Sequence, residues 1–207
     1  MSERGPLRLG VLISGSGSNL QAIIDAIEGG TLDAVVAVVI SSRSDAFGLE
    51  RARNHGIEAV WVDREMFDDA AGYNAALRDE LQAHSVDYVV MAGYMRLLGK
   101  AVLDAYPLRV LNLHPALLPS FPGAHGIADA FAYGVKVTGI TVHFADEVFD
   151  RGPIIAQRAV EIAETDTIES LEAKIHDAEH QLYPAVIQLI AQERVKVDGR
   201  VVCIAQS

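Results

Sequence analysis

"LRLGVLISGSGSNLQAIIDAIEGGTLDAVVAVVI", residues 7–40, is the stretch whose reading decides the fold. Its two ends, "LRLGVLI" (7–13) and "AVVAVVI" (34–40), are short apolar runs. The second is apolar at every position, as a strand covered on both faces must be. Between them lie a serine-glycine turn and a helical pattern from about 19 to 28. Strand, helix and strand in that order predict one unit of a parallel sheet.

The alternation continues outward from this unit. A helix is predicted near 46–54, a strand at "EAVWV" (58–62), a helix near 72–83 and a strand at "DYVVMAG" (87–93). After "VLNLH" (110–114) the order changes. Prolines 115, 119 and 122 interrupt the chain, a short helix is expected near 127–133, and "VTGITVHFA" (137–145) and "GPIIAQRAV" (152–160) read as two later strands joined by a loop. A long helix follows, with Ile168, Leu171, Ile175, Leu182, Val186 and Leu189 at three- and four-residue steps. Asp166 with Glu169 reads as its capping box, and Pro184 is expected to kink or interrupt it. The tail "VKVDGRVVCIA" predicts a small hairpin. The fold class is therefore α/β: a Rossmann-like, mostly parallel sheet with helices on both faces, its later strands antiparallel or mixed. With 207 residues, half of them hydrophobic, one domain is expected over 1–207.

A formal charge of −11 and the lack of any basic run interleaved with aromatics argue against a nucleic-acid surface. Any anionic ligand must then be held locally, by backbone amides or a few arginines. The single cysteine, Cys203, cannot form an internal disulfide and reads as a small apolar residue of a late strand. No run approaches the ~20 apolar residues of a membrane span, so a soluble, cytoplasmic protein is expected, with no membrane partner.

Several residue groups carry chemistry. Gly15, Ser16, Gly17, Ser18 and Asn19 join a strand to a helix, where glycines allow close approach and free N–H groups attract phosphate. Leu20 stands where a dinucleotide fingerprint needs its third glycine, "SSRS" (41–44) ends the second strand without an acidic residue, and no P-loop motif is present. A tight turn with Ser18 or Asn19 as helix cap is compatible with the phosphate role. Asn112 and His114, two apart in a strand, share one face, while Leu111 and Leu113 take the other. Asp146, Glu147 and Asp150 sit in a loop between two strands. If the sheet brings that loop against the end of 110–114, Asp150 can pair with His114 and favour its charged form. His143, on an apolar strand, reads as a satisfied core residue. "AGYMRLL" (92–98) ends a parallel strand at its carboxyl side, where ligand crevices form. His176 to His180 spell H-x-x-E-H, a zinc-peptidase signature. Only one glutamate, Glu193, lies downstream to serve as the third ligand of that signature, so no metal is expected.

"LISGSGSNLQAI", "DAFGLERAR", "AGYMRLL", "LNLHPALLPSFPGAHG", "VTGITVHF", "DRGPIIAQ" and "AEHQLYP" follow one another in an order and spacing that resemble the phosphoribosylglycinamide formyltransferase family, the folate-dependent glycinamide ribonucleotide transformylases of purine synthesis. The resemblance covers nearly the whole chain. "N-x-H-P-x-L-L-P" alone is shared with methionyl-tRNA formyltransferase and formyltetrahydrofolate hydrolase, whose additional domains 207 residues are expected to leave no room for. The resemblance implies transfer of a formyl group from 10-formyltetrahydrofolate, a co-substrate, to the amine of glycinamide ribonucleotide. Asn112, His114 and Asp150 would be catalytic. Gly17, Ser18, Asn19, His176 and Glu179 would bind the ribonucleotide. Met95, Arg96, Leu97, Leu98, Asp146, Glu147, Val148 and Phe149, with Asn112 and Asp150, would bind the folate. Residues 1–112 then form the parallel, phosphate-binding half and 113–207 the folate-site half. The partners implied are small molecules, with a homodimer left open. The family's fold also implies a cis peptide, for which Leu118-Pro119 is the candidate. In one departure, Ala70 occupies a place where many relatives have an arginine. Arg64 or Arg96 would have to anchor the folate's carboxylate tail instead.

Overall fold

A computed structural model describes residues 5–206. The chain divides at the 111/112 boundary into two compact units.

The first unit runs β1 (Leu7–Ile13), α1 (Ser18–Glu28), β2 (Ala34–Ser41), α2 (Phe47–Asn54), β3 (Ala59–Trp61), a 3₁₀ turn (Arg64–Met66), α3 (Ala70–Ala83), β4 (Tyr88–Met91) and α4 (Lys100–Leu103), and ends within β5 (Val110–His114). Its strands stand in the order β3-β2-β1-β4 and are all parallel, with Leu12 opposite Ile40 on one side and Met91 on the other. The N–H of Val89 reaches the Arg109 carbonyl at 2.8 Å, beside the start of β5. Leu9, Val11, Leu12, Ile13, Val38, Val39 and Ile40 are buried completely, as expected of strands covered on both faces. Leu20 and Ile23 of α1 and Leu77 and Leu81 of α3 are equally buried. Each such side chain contributes roughly 1.5–3 kcal/mol relative to exposure.

The second unit contains the rest of β5, α5 (Gly126–Tyr133), β6 (Val137–Phe144), β7 (Ile154–Glu161), α6 (Ile168–Ala191), β8 (Val195–Asp198) and β9 (Val201–Ile204). β6 and β7 pair antiparallel, and β8 and β9 form the terminal hairpin. The register slips near one end of the β6–β7 ladder. Val142 faces Ala156 but His143 faces Ile154, so Ile155 is the extra residue of a bulge. Leu171, Ile175 and Ala178 of α6 pack on Ile140, with Leu113, Ile127, Phe131 and Val160 around them. Leu113 thus spends its face of β5 on this core and leaves the alternate face, that of Asn112 and His114, for polar chemistry.

Two helix expectations need correction. The cap of α6 is Thr167, not Asp166: its hydroxyl accepts from the Ser170 N–H at 3.3 Å, while the Ser170 hydroxyl accepts from the Thr167 N–H at 3.0 Å. Asp166 instead accepts from the Ser170 hydroxyl at 2.9 Å and pairs with Lys174. Pro184 does not interrupt α6, which continues to Ala191. It is buried beside Tyr183, Val186 and Ile187, and this packing offsets the one backbone bond that a proline removes. The 3₁₀ turn and α4, each a few residues long, are too short to show a period in sequence.

Candidate active site

The polar face at the end of β5 is built by two loops, those after β5 and β6, and by the bulged end of β6. Asn112 and His114 lie on that face by strand alternation. β6 supplies His143 from a stripe of Gly139, Thr141 and His143, which alternates with fully buried Ile140 and Val142 and nearly buried Phe144. The loop after β6 brings Asp150, held at φ 57, a left-handed conformation that Asp tolerates better than most residues. Thr141 stitches down the proline-rich loop after β5, donating to the Ala116 carbonyl at 2.7 Å and accepting from the Leu118 N–H at 3.1 Å. Gln157 of β7 donates to the Leu118 carbonyl at 2.9 Å. Leu118-Pro119 is the cis peptide among the described residues.

The side chains form a connected set. His114 Nδ1 is 3.6 Å from Asp150 Oδ2, and both side chains are only 4% exposed. His114 Nε2 donates to the Phe121 carbonyl at 2.8 Å, because a carbonyl can only accept. His143 Nδ1 donates to the Phe144 carbonyl at 2.9 Å by the same logic, so its Nε2 accepts the Asn112 amide N–H at 3.1 Å. That bond fixes which way the Asn112 amide faces. His143 Nε2 also stands 3.7 Å from Asp150 Oδ1, and Asp150 Oδ2 accepts the Gly123 N–H at 2.8 Å. Burial pushes the Asp150 carboxyl up. The Gly123 N–H and the charge of His114 act against it, and the pKa lies below the ordinary carboxylate value. No nucleophilic serine, cysteine or lysine belongs to this set.

Asn112, His114 and Asp150 therefore come together as a group. His143, a buried and satisfied histidine as expected, joins them through its bond to Asn112. Its signal in the sequence was the polar stripe on one face of an otherwise apolar strand. The Phe121 carbonyl and Gly123 N–H carried no such signal, since they are backbone groups set by a local turn. In the same unit His176 Nδ1 meets Glu179 Oε2 at 3.0 Å on α6. This hydrogen bond, against the opposing effect of burial, raises the pKa of His176, whose side chain is half exposed. Among the described residues no group of three or more His, Cys, Asp and Glu is arranged to hold a metal ion. In the loop 146–150, Asp146 accepts the Val148 N–H at 2.9 Å, and Val148 and Phe149 stand exposed.

In the first unit, α1 begins at Ser18 behind Gly17, not behind a capping Ser18 or Asn19. Gly17, at φ 70, provides no capping side chain. Asn19 is buried. After β4, the Met95 N–H donates to Ser14 Oγ at 3.0 Å, which holds a loop in which Met95 and Leu97 are exposed and Leu98 is buried. The Arg96 guanidinium lies 5.9 Å from the Tyr73 ring centre, and Arg64 donates to the Phe67 carbonyl at 2.7 Å. Among the described residues no helix is long and apolar enough to cross a membrane.

Compared with known proteins, residues 7–187 match the formyl transferase family model. The chain belongs to the formyl transferase family. Among the relatives of this formyl transferase, the phosphoribosylglycinamide formyltransferase of Bacillus subtilis (strain 168) is 42% identical over 87% of this chain and 93% of its own. That of Escherichia coli (strain K12) is also 42% identical, over 90% of this chain and 88% of its own. The crystal structure of glycinamide ribonucleotide transformylase 1 from Symbiobacterium toebii superposes with a TM-score of 0.95 at 49% identity, covering 97% of this chain and 95% of that one. The Rossmann-like architecture expected from the sequence is thus the architecture of this formyl transferase.

Proposed function

We propose that this formyl transferase moves the formyl group of 10-formyltetrahydrofolate to the amine of phosphoribosylglycinamide, a step of purine synthesis. The observation that carries the reading is the buried convergence of Asn112, His114, His143 and Asp150 without a nucleophile. Such a set suits direct transfer between two bound substrates and gives no group to hold the formyl covalently. The names borne by the relatives supply the acceptor.

The amine nitrogen attacks the formyl carbon, and the carbonyl electron pair moves onto oxygen. A carbon–nitrogen bond forms, the carbonyl then re-forms, and the bond to N10 breaks. The proton lost by the amine ends on N10, so atoms and charge balance. Charge on the developing alkoxide is the expensive feature, and preorganised donors lower its cost. One Asn112 amide hydrogen is committed to His143, which leaves the other for the oxygen. His114 Nε2 is committed to the Phe121 carbonyl, so the second donor is Nδ1, on the Asp150 side of the ring. Asp150, ionised at neutral pH, balances an imidazolium at His114 and hands protons from amine to leaving nitrogen through water.

In this reading Gly17, Ser18 and Asn19 hold the ribonucleotide phosphate with backbone and side-chain donors, and His176 and Glu179 contact the rest of that substrate. Residues 95–98 and 146–150, with their exposed Met95, Leu97, Val148 and Phe149, cover the flat folate ring. The test is product analysis with 10-formyltetrahydrofolate, with and without phosphoribosylglycinamide. Formyl-phosphoribosylglycinamide formed in proportion to tetrahydrofolate is expected. Formate released at the same rate without acceptor would overturn the reading in favour of hydrolysis.

A further inference from the structure

The turn Gly15–Ser16–Gly17 is shaped from outside, by α2. The Gly15 carbonyl accepts the Gly48 N–H at 3.1 Å, and the Ser16 carbonyl accepts Arg51 Nε at 2.9 Å. Both peptide units are trans, and in a trans peptide C=O and N–H point in opposite directions. With the two carbonyls drawn to α2, the N–H groups of Ser16 and Gly17 are turned to the opposite side. The same two bonds keep the carbonyl dipoles, which would repel an anion, away from that side. The turn lies so close to α2 that a Cβ on Gly17 would stand 2.7 Å from the Gly48 Cα, so only glycine allows this seat.

Arg51 is itself held in a single pose. Its guanidinium lies 4.8 Å from the centre of the Phe47 ring, and its Nη1 donates to Gln21 Oε1 at 3.2 Å. Gln21 Nε2 donates to Asp25 Oδ1 at 2.8 Å, so its oxygen must face Arg51. A planar fork with two aimed arms does this; a lysine ammonium carries the charge without the fork.

We propose that Arg51 is a positioning residue for the anion turn: by gripping the Ser16 carbonyl it aims the Ser16 and Gly17 N–H groups at the substrate phosphate. The proposal rests on the reading of Gly17, Ser18 and Asn19 as the phosphate site. Its role is one of geometry, and neutralising the phosphate is left to the backbone amides.

The test compares wild type, Arg51→Gln and Arg51→Lys. Steady-state constants are measured for both substrates, and the affinity for inorganic phosphate is measured by calorimetry. KM for phosphoribosylglycinamide and the Kd for phosphate are expected to rise about tenfold in both variants, the size of losing one hydrogen bond to a charged group. The kcat at saturation and the KM for the folate are expected to stay within about twofold. A wild-type-like Arg51→Lys would overturn the proposal, since charge alone would then suffice. A fall in kcat with phosphate affinity unmoved would overturn it too, in favour of a merely structural role. Should Arg51→Gln fail to fold, Arg51→Lys decides alone. If the wild type binds phosphate but does not formylate phosphoribosylglycinamide, the functional reading fails while the calorimetry still judges Arg51.

Discussion

Asp150 shows how a few polar contacts set the state of one group. Its carboxyl is buried, which alone would favour the neutral acid, yet with the Gly123 N–H and His114 beside it the anion is favoured. A group whose pKa is lower folded than unfolded contributes stability that is present above its unfolded value and is lost as pH falls through the folded one. The unfolded reference is 3.8. Thermal midpoints of wild type and Asp150→Asn, followed across pH, should therefore differ most above about 4 and converge in stronger acid. A gap that instead widens as pH falls would mean the carboxyl is held neutral. Asn112 and His114 were legible in sequence because strand alternation alone aligns them. Asp150 was legible only conditionally, since which loop meets which strand end depends on sheet order. His143 is the satisfied core residue its apolar strand implies, 1% exposed with both ring nitrogens bonded, but that one of those bonds goes to Asn112 depends on which strands are neighbours and has no sequence signal.

Among the elements, the β6–β7 ladder governs where Asp150 sits. The bulge at Ile155 ends regular pairing beside His143, and the Phe144 N–H returns to the Pro153 carbonyl at 2.9 Å. The two strand ends are so close here that a Cβ on Gly152 would lie 1.7 Å from the Phe144 carbonyl oxygen. Backbone cannot rotate out of the way as a side chain can, so Gly152→Ala must displace the loop that carries Asp150. We expect a loss of about 1–3 kcal/mol, as for other forced overpacking, read as a lower thermal midpoint. At least a tenfold fall in kcat should accompany it as Asp150 leaves His114, about the cost of one misplaced charge partner. A variant with normal kcat would show that the loop position is not critical. The bulge had no sequence signal, because an inserted residue in a ladder is invisible without the partner strand. The helix–strand alternation of the first unit, by contrast, was plain in the hydrophobic runs: apart from the 3₁₀ turn and α4, element ends moved by no more than two residues.

At the scale of the whole molecule, the resemblance in motif order and the match over residues 7–187 agree on a formyl transferase, and the polar face of β5 gives that family assignment a chemical basis. The acidic surface implied by a charge of −11 means an anionic substrate gains nothing from long-range attraction, so local geometry must hold it. In the proposed reading, the turn and its Arg51 brace meet that need in one unit, and the Asn112 set supplies the chemistry in the other. The most direct measurement is single-turnover transfer of labelled formyl from 10-formyltetrahydrofolate to phosphoribosylglycinamide by wild type and Asn112→Ala, with folding checked by circular dichroism. Loss of one oxyanion donor corresponds to about 2.7–4 kcal/mol, so the variant should transfer roughly a hundred- to a thousandfold more slowly with its fold intact. Transfer at close to the wild-type rate would contradict the account.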